Sequence, residues 1–213
     1  MEKNVPIIGL SRHRLATDGE GVTTLVAFWG CPLQCRYCLN PQSWNPDTMV
    51  ALYDVQQLYE EVAIDNLYFL ATGGGVTFGG GEPLLRVPFI SDFRALCGEA
   101  WSLTVETSLN VPEKSLEKAI PVVNNYIVDI KDMNPDIYKS YTGKKNDRVL
   151  SNLRLLAERV PQERIRVRIP LIPGFNTDED RQRSEAAIRD LGITDIELFE
   201  YKRVKNSKGE KVI

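Results

Sequence analysis

Residues 23–38 read Thr23-Thr24-Leu25-Val26-Ala27-Phe28-Trp29-Gly30-Cys31-Pro32-Leu33-Gln34-Cys35-Arg36-Tyr37-Cys38. Thr23 to Trp29, rich in β-branched and aromatic residues, predicts a strand that glycine and proline bring to an end. Three thiols therefore follow within eight residues at the strand's carboxyl end. Soft sulfur ligands so closely spaced favour zinc or an iron-sulfur cluster. A structural zinc normally takes four protein ligands, and only Cys97 and His13 remain as candidates for a fourth. A [4Fe-4S] cubane held by Cys31, Cys35 and Cys38 would keep one iron open, which points to catalysis rather than electron storage. The plainer alternatives are inert packing cysteines or a zinc knuckle.

Outward from this stretch, strand-like runs alternate with helical spacing. Gly75 to Gly79, Leu103 to Thr107, Tyr126 to Lys131, Arg164 to Leu171 and Ile196 to Tyr201 complete six strands. Between them, Val55, Leu58, Tyr59 and Val62 predict one buried helix face. Phe89, Ile90, Phe93 and Leu96 predict a second, and Val149, Leu150, Leu153 and Leu156 a third. Pro112 suits a first helical turn before Leu116 and Ile120, and Thr177 with Asp180 forms a capping-box pattern on a helix closed by Gly192. Alternation of this kind implies an α/β fold with a parallel sheet. Six units are too few for an eight-stranded barrel but suit a partial (β/α)6 TIM-like barrel, with chemistry at the carboxyl ends of the strands. A doubly wound open sheet is the alternative. No repeat or linker divides the 213 residues, so one domain is expected, with a cluster loop at 30–40 and a basic tail at 202–213.

Composition narrows the function classes. Twenty-six basic and 29 acidic side chains leave a net charge of −3, and the isoelectric point is near 5.4. That balance gives no electrostatic reason to expect nucleic acid or an anionic membrane as partner. No apolar run approaches the ~18 residues that span a bilayer, and the N-terminus lacks a secretory pattern, so a cytoplasmic location is expected. In that reducing setting clustered cysteines bind metal or do chemistry instead of forming disulfides.

Further motifs sit at the other strand ends. The second strand runs into Gly79-Gly80-Gly81-Glu82-Pro83, where glycines allow close backbone approach and exposed carbonyls with a carboxylate can receive an ammonium. The third finishes Glu106-Thr107-Ser108. The fourth ends with Asp129 and Lys131, two residues apart and so on one face, where charges need partners or a ligand. On the fifth strand Arg164, Arg166 and Arg168 alternate along one face, and Arg168 is the one expected to reach a site.

The CxxxCxxC spacing, with Tyr37 before the last cysteine, resembles the radical S-adenosylmethionine (radical SAM) superfamily. The run Val76 to Pro83, Asp129-Ile130-Lys131, and Arg168 followed by Pro173-Gly174 are similar to its glycyl-radical-enzyme activating branch, of the pyruvate formate-lyase activating type. The resemblance spans about Thr17 to Tyr201. It implies a [4Fe-4S] cluster and S-adenosylmethionine as cofactors, and anaerobic chemistry in which a 5′-deoxyadenosyl radical abstracts hydrogen. It implies a glycyl radical enzyme as protein substrate and a flavodoxin or ferredoxin-type electron donor. By the same resemblance Gly80, Gly81 and Glu82 would receive the methionine amine, Tyr37 would lie against the adenine, and Asn40 would bind cofactor. Glu106, Thr107 and Asp129 would stand by the cofactor carboxylate, beside a monovalent or divalent cation near Asp129. Lys131 and Arg168 would act at the cofactor and substrate side. The chain departs from that branch at Asp18-Gly19-Glu20-Gly21-Val22-Thr23, where DGPGIR is usual, at Leu39 before Asn40-Pro41, and at Lys202, where the activase has histidine.

Three features are read as structural. Cys97 lies seven residues from Ile90 on an apolar helix face, which predicts a small buried hydrophobe. His13 between Arg12 and Arg14 predicts a solvated basic turn. The stretch Lys202 to Lys211 predicts a disordered or solvated end.

Overall fold

The computed structural model describes residues 4–15 and 17–201, and the backbone of 203–206 and 209–212. In chain order the elements are β1 (Val5–Leu15), β2 (Val22–Phe28), β3 (Ala51–Tyr53), α1 (Val55–Ala63), α2 (Asn66–Thr72), β4 (Gly75–Gly80), α3 (Val87–Cys97), β5 (Ser102–Thr107), α4 (Glu113–Ala119) and β6 (Asn125–Asp129). They continue with α5 (Pro135–Thr142), α6 (Asp147–Arg159), β7 (Ile165–Leu171), α7 (Asp178–Arg189), β8 (Asp195–Glu200), β9 (Arg203–Asn206) and β10 (Gly209–Val212).

The six strands read from sequence form one parallel run, β2-β4-β5-β6-β7-β8. Its ladder aligns Phe28 with Gly80, Thr107 with Val128 and Asp129 with Arg168. The thiol-bearing loop, the glycine loop and the charged strand ends therefore share one rim. β8 does not close back onto the other edge, so the sheet is an open, partial barrel. Rings cement its helix-facing side. Phe28 stacks on Phe78 at 5.5 Å, Phe78 meets Phe93 of α3 edge-on at 5.5 Å, and Trp101 packs on Tyr59 and Phe69. Each buried ring contributes roughly 1.5–3 kcal/mol.

Caps set several helix starts. Asp54 closes a capping box with Gln57 on α1, and Thr177 closes the expected one with Asp180 on α7. Gly192, with φ +86°, ends the turn after α7, its N–H bonding Arg189 O. Pro112 is the N-cap of α4, one position before the first turn, where its fixed φ still suits the entry.

The structure corrects the sequence reading in three places. His13 is exposed, as expected, but stands in a strand and not a turn: it lies in β1, which pairs antiparallel with β2 and with the edge strand β3. A bulge between Ser11 and Arg14 gives His13 a φ of +55°, and its Nε2 reaches Asp65 Oδ1 at 2.8 Å. The acceptor compensates for the unusual backbone. The tail is not featureless either, since β9 and β10 form an antiparallel pair; Lys202 itself lies outside the described residues. Strand β6 stops at Asp129, so Lys131 stands two residues beyond the ladder. Cys97 packs half-buried against the core at the end of α3, as expected of a small hydrophobe. Among the described residues no helix is long and apolar enough to cross a membrane.

Candidate active site

A cavity of about 150 Å³ opens at the carboxyl rim of the parallel strands. Cys31, Cys35, Cys38 and Asn40 line one side; Gly80, Gly81 and Glu82, then Glu106 and Thr107, and finally Asp129, Lys131 and Arg168 line the rest. Of the residues singled out from sequence, twelve meet here. Tyr37 does not line the cavity. Its ring packs edge-on against Tyr141 and Phe175, and its hydroxyl donates to Pro173 O at 3.2 Å.

Main-chain bonds fix the cysteine loop. Gly30 N donates to Ser43 O at 2.7 Å, Cys38 N to Cys35 O at 3.2 Å, and Arg36 N to Tyr141 O at 3.1 Å, while Leu33 is buried in the core. The loop is also stitched to the glycine loop, since Gly81 N donates to Phe28 O at 2.9 Å and Glu82 N to Gly30 O at 2.8 Å. This proximity explains the glycines. Gly80 has φ +83°, and a Cβ there would lie 2.7 Å from that of Ala27; one on Gly81 would lie 2.1 Å from the Gly30 carbonyl oxygen. Only bare backbone fits.

Burial pushes the Cys31 thiol up to about 12, against a backbone hydrogen bond at Leu33, and raises Cys35 despite the pull of Lys131. Thiols in such a place need a cationic partner to ionise. Binding a soft metal centre, with proton release, supplies it.

Glu82 is wholly occupied. Its two oxygens accept from the Thr107 hydroxyl at 2.7 Å, Leu84 N at 3.2 Å, Ser108 N at 2.9 Å and the Ser108 hydroxyl at 2.7 Å. A carboxylate has about four acceptor sites, so the side chain has none to spare for an ammonium. It braces the glycine loop against β5, and the main chain of Gly80 and Gly81 faces the cavity.

The far wall is a charge network. Arg168 donates to Asp129 at 2.7 Å and to Glu106 at 2.9 Å, and Lys131 reaches Asp129 at 3.2 Å. Two cations and two carboxylates balance, which is how these groups tolerate burial. Burial alone would raise the Asp129 carboxyl, but Lys131 and Arg168 outweigh it and hold it down at about 2. Burial wins at Glu106, whose carboxyl is raised in spite of Arg168. Glu106 and Asp129, where the resemblance put an inorganic cation, are thus held by side-chain cations. Arg164 and Arg166 point elsewhere, to the carbonyls of Val123 and Asn124 and to Asp195.

Sequence reasoning missed Tyr141, Tyr201 and Ser108. Tyr141 lines the cavity, and its buried hydroxyl has no hydrogen-bond partner among the described residues. It rides on α5, whose signal was readable in Asn134-Pro135, the cap and first turn, and in Gly143, the left-handed end.

The radical SAM superfamily profile matches residues 26–184. The chain belongs to that superfamily. Its members bind a [4Fe-4S] cluster and S-adenosylmethionine, and the donor set fits: three soft ligands on one loop, then bare backbone and balanced charges across a cavity. Among curated relatives, the (2S)-3-sulfopropanediol dehydratase activating enzyme of Klebsiella oxytoca is 30% identical over a 257-position alignment, covering 90% of this chain and 80% of that protein. The pyruvate formate-lyase 1-activating enzyme of Escherichia coli K12 is 30% identical over 196 positions, covering 90% and 78%. The fold is shared with Streptococcus suis SuiB bound to S-adenosylmethionine, at a TM-score of 0.63 and 16% identity over 85% of this chain and 40% of that one. This radical SAM enzyme thus resembles activating enzymes over most of its length.

Proposed function

We propose that this radical SAM enzyme activates a glycyl radical enzyme, removing hydrogen from a backbone glycine of that partner. One observation carries the reading: three cysteine thiols, a glycine-walled loop and a neutral Glu106-Asp129-Lys131-Arg168 network line one cavity at the strand ends. The likeness to two named activating enzymes at 30% identity supports the choice of target class.

When bound, the cluster and S-adenosylmethionine together supply reductive cleavage of the sulfonium and a 5′-deoxyadenosyl radical. Cys31, Cys35 and Cys38 would hold three irons. Carbonyls of Gly80 and Gly81 would accept the methionine ammonium, with Glu82, Thr107 and Ser108 keeping their loop in place. Lys131 and Arg168 would receive the carboxylate, while Asp129 and Glu106 hold both cations in position. Asn40 would meet the nucleoside beside the cluster loop, and Tyr37, anchored to Pro173 and packed on Tyr141 and Phe175, would hold that loop in place instead of stacking on the adenine.

The test is anaerobic reconstitution. The expected product is a brown protein that, with dithionite and S-adenosylmethionine, forms 5′-deoxyadenosine and gives a partner enzyme a glycine-centred paramagnetic signal; Cys35→Ala should abolish the nucleoside. A colourless protein holding one zinc would overturn the reading. Nucleoside without any glycine signal, but with a modified peptide or metabolite, would keep the chemistry and change the target.

A further inference from the structure

The proposed reaction consumes an electron from outside the chain, and its point of entry rests on that reading. We infer that the rim built by the cluster loop, α5 and the start of α6 docks an acidic one-electron carrier protein. Arg36 on the loop, Lys139 on α5, Lys144 and Lys145 in the turn after α5, and Arg148 on α6 are all exposed. Two surface hollows collect them. Gln34 and Arg36 border one, with Lys139; Pro32 borders the other, with Lys144, Lys145 and Arg148. The two hollows therefore flank the segment that carries Cys35.

Two carboxylates, Asp136 and Asp147, share these hollows, so five cations leave a local charge of +3 on a chain whose net charge is −3. The contrast with α7 is instructive. There Arg181, Arg183 and Arg189 each pair with a carboxylate of their own helix. Among the described residues, none of the five rim cations forms an ion pair. They are also not free to drift from the loop, because Gln34 N donates to Thr142 O at 3.3 Å and Arg36 N to Tyr141 O at 3.1 Å.

Electron transfer weakens steeply with distance, so a donor has to dock against the loop that holds the cluster. Redox encounters use small interfaces, and unpaired charge accelerates them without making a long-lived complex. A carrier with an acidic face meets both demands here. It would be oxidised by one electron as the cluster is reduced by one, and no bond would form or break at the rim.

The experiment uses the reconstituted enzyme with two probes, an acidic flavodoxin and an acidic ferredoxin, each chemically reduced. Calorimetry would read affinity, and stopped-flow absorbance would read electron transfer, between about 0.02 and 0.3 M salt. Wild-type protein should bind at least one probe more weakly as salt rises. The triple variant Lys139→Glu/Lys144→Glu/Arg148→Glu should lose about tenfold or more in association rate at low salt and flatten the salt dependence. Dithionite should reduce its cluster, and release 5′-deoxyadenosine, as in wild type. Salt-independent or absent binding of both probes would overturn the inference. So would a variant that takes electrons from the carrier normally, including one that loses only capture of the glycine-bearing partner. Failure of the dithionite reaction in wild type would instead strike the catalytic reading, while calorimetry still reads the rim.

Discussion

Asp65 and Asp129 are both carboxylates gripped by basic side chains, the first fully buried and the second a quarter exposed, yet they serve opposite ends of the same sheet. Asp65, before α2, accepts from the Arg12 guanidinium, from His13 at 2.8 Å and from the Thr24 hydroxyl at 2.9 Å near the start of β2. Its cations lead outward, with Arg12 two-fifths exposed. Asp129 leads inward: both its partners, Arg168 and Lys131, line the cavity beside Tyr141. One arrangement fastens β1 to α2 and is finished within the fold. The other keeps charges in balance at a wall with space beyond it. Buried charge marks a site where its partners also face an opening.

The sharpest test of that difference is Arg168→Ala. Among the described residues it removes the sole ion-pair partner of Glu106 and one of two holding Asp129. The expected loss is about 100-fold in 5′-deoxyadenosine formation, the scale for deleting one preorganised donor. Arg168→Lys should recover only part of it, because a point charge cannot replace a fork between two carboxylates. Equal activity in both variants would reduce the network to scaffolding.

At the other end Asp65→Ala should leave cofactor cleavage per folded molecule unchanged and cost about 2–4 kcal/mol in urea unfolding, since it strips partners from Arg12, His13 and Thr24 together. The pH dependence fixes the cause. Hydrogen bonding from Arg12 holds the Asp65 carboxyl below its ordinary value, overcoming burial. A depressed native value means the contribution is complete above the unfolded value near 4 and is lost as pH falls through the native one. The stability gap between wild type and Asp65→Asn should therefore narrow below about pH 4. A gap that stays constant down to pH 2 would assign the cost to packing.

The same contrast separates what could be read from the sequence. The six parallel strands and the cluster of thiols were legible because each signal is local: β-branched runs, glycine punctuation and a fixed cysteine spacing. Asp129 and Lys131 were legible because charges at the end of a central strand demand partners, and Arg168 because it alternates with Arg164 and Arg166 toward the same rim. β1 was hidden, since Pro6, Gly9 and the Arg12-His13-Arg14 run argue against a strand, and its stability comes from Asp65, 52 positions beyond His13. Saturation of Glu82 was hidden for a similar reason. Its donors Thr107 and Ser108 come from β5 and the residue after it, and no sequence pattern counts lone pairs. Tyr141 was passed over as part of an unrecognised helix.

Tyr141 also gives the smallest and most discriminating prediction. Of the three buried tyrosine hydroxyls without a hydrogen-bond partner among the described residues, two stand at opposite ends of the sheet: Tyr126 near the start of β6 and Tyr141 at the cavity. Burial raises both phenols well above their ordinary value, so each stays a neutral O–H donor across the working pH range. An unsatisfied buried hydroxyl opposes folding, and removing the oxygen is expected to be neutral or to stabilise by up to about 1 kcal/mol. For Tyr126→Phe that should be the whole effect, visible in thermal unfolding and absent from S-adenosylmethionine affinity. Tyr141→Phe should match it in unfolding but weaken S-adenosylmethionine binding several-fold, because a bound cofactor gives that donor its missing acceptor. Equal affinity in the two variants would show that the orphaned hydroxyl at the cavity is a packing accident like its counterpart, and that the charged wall alone distinguishes this end of the sheet.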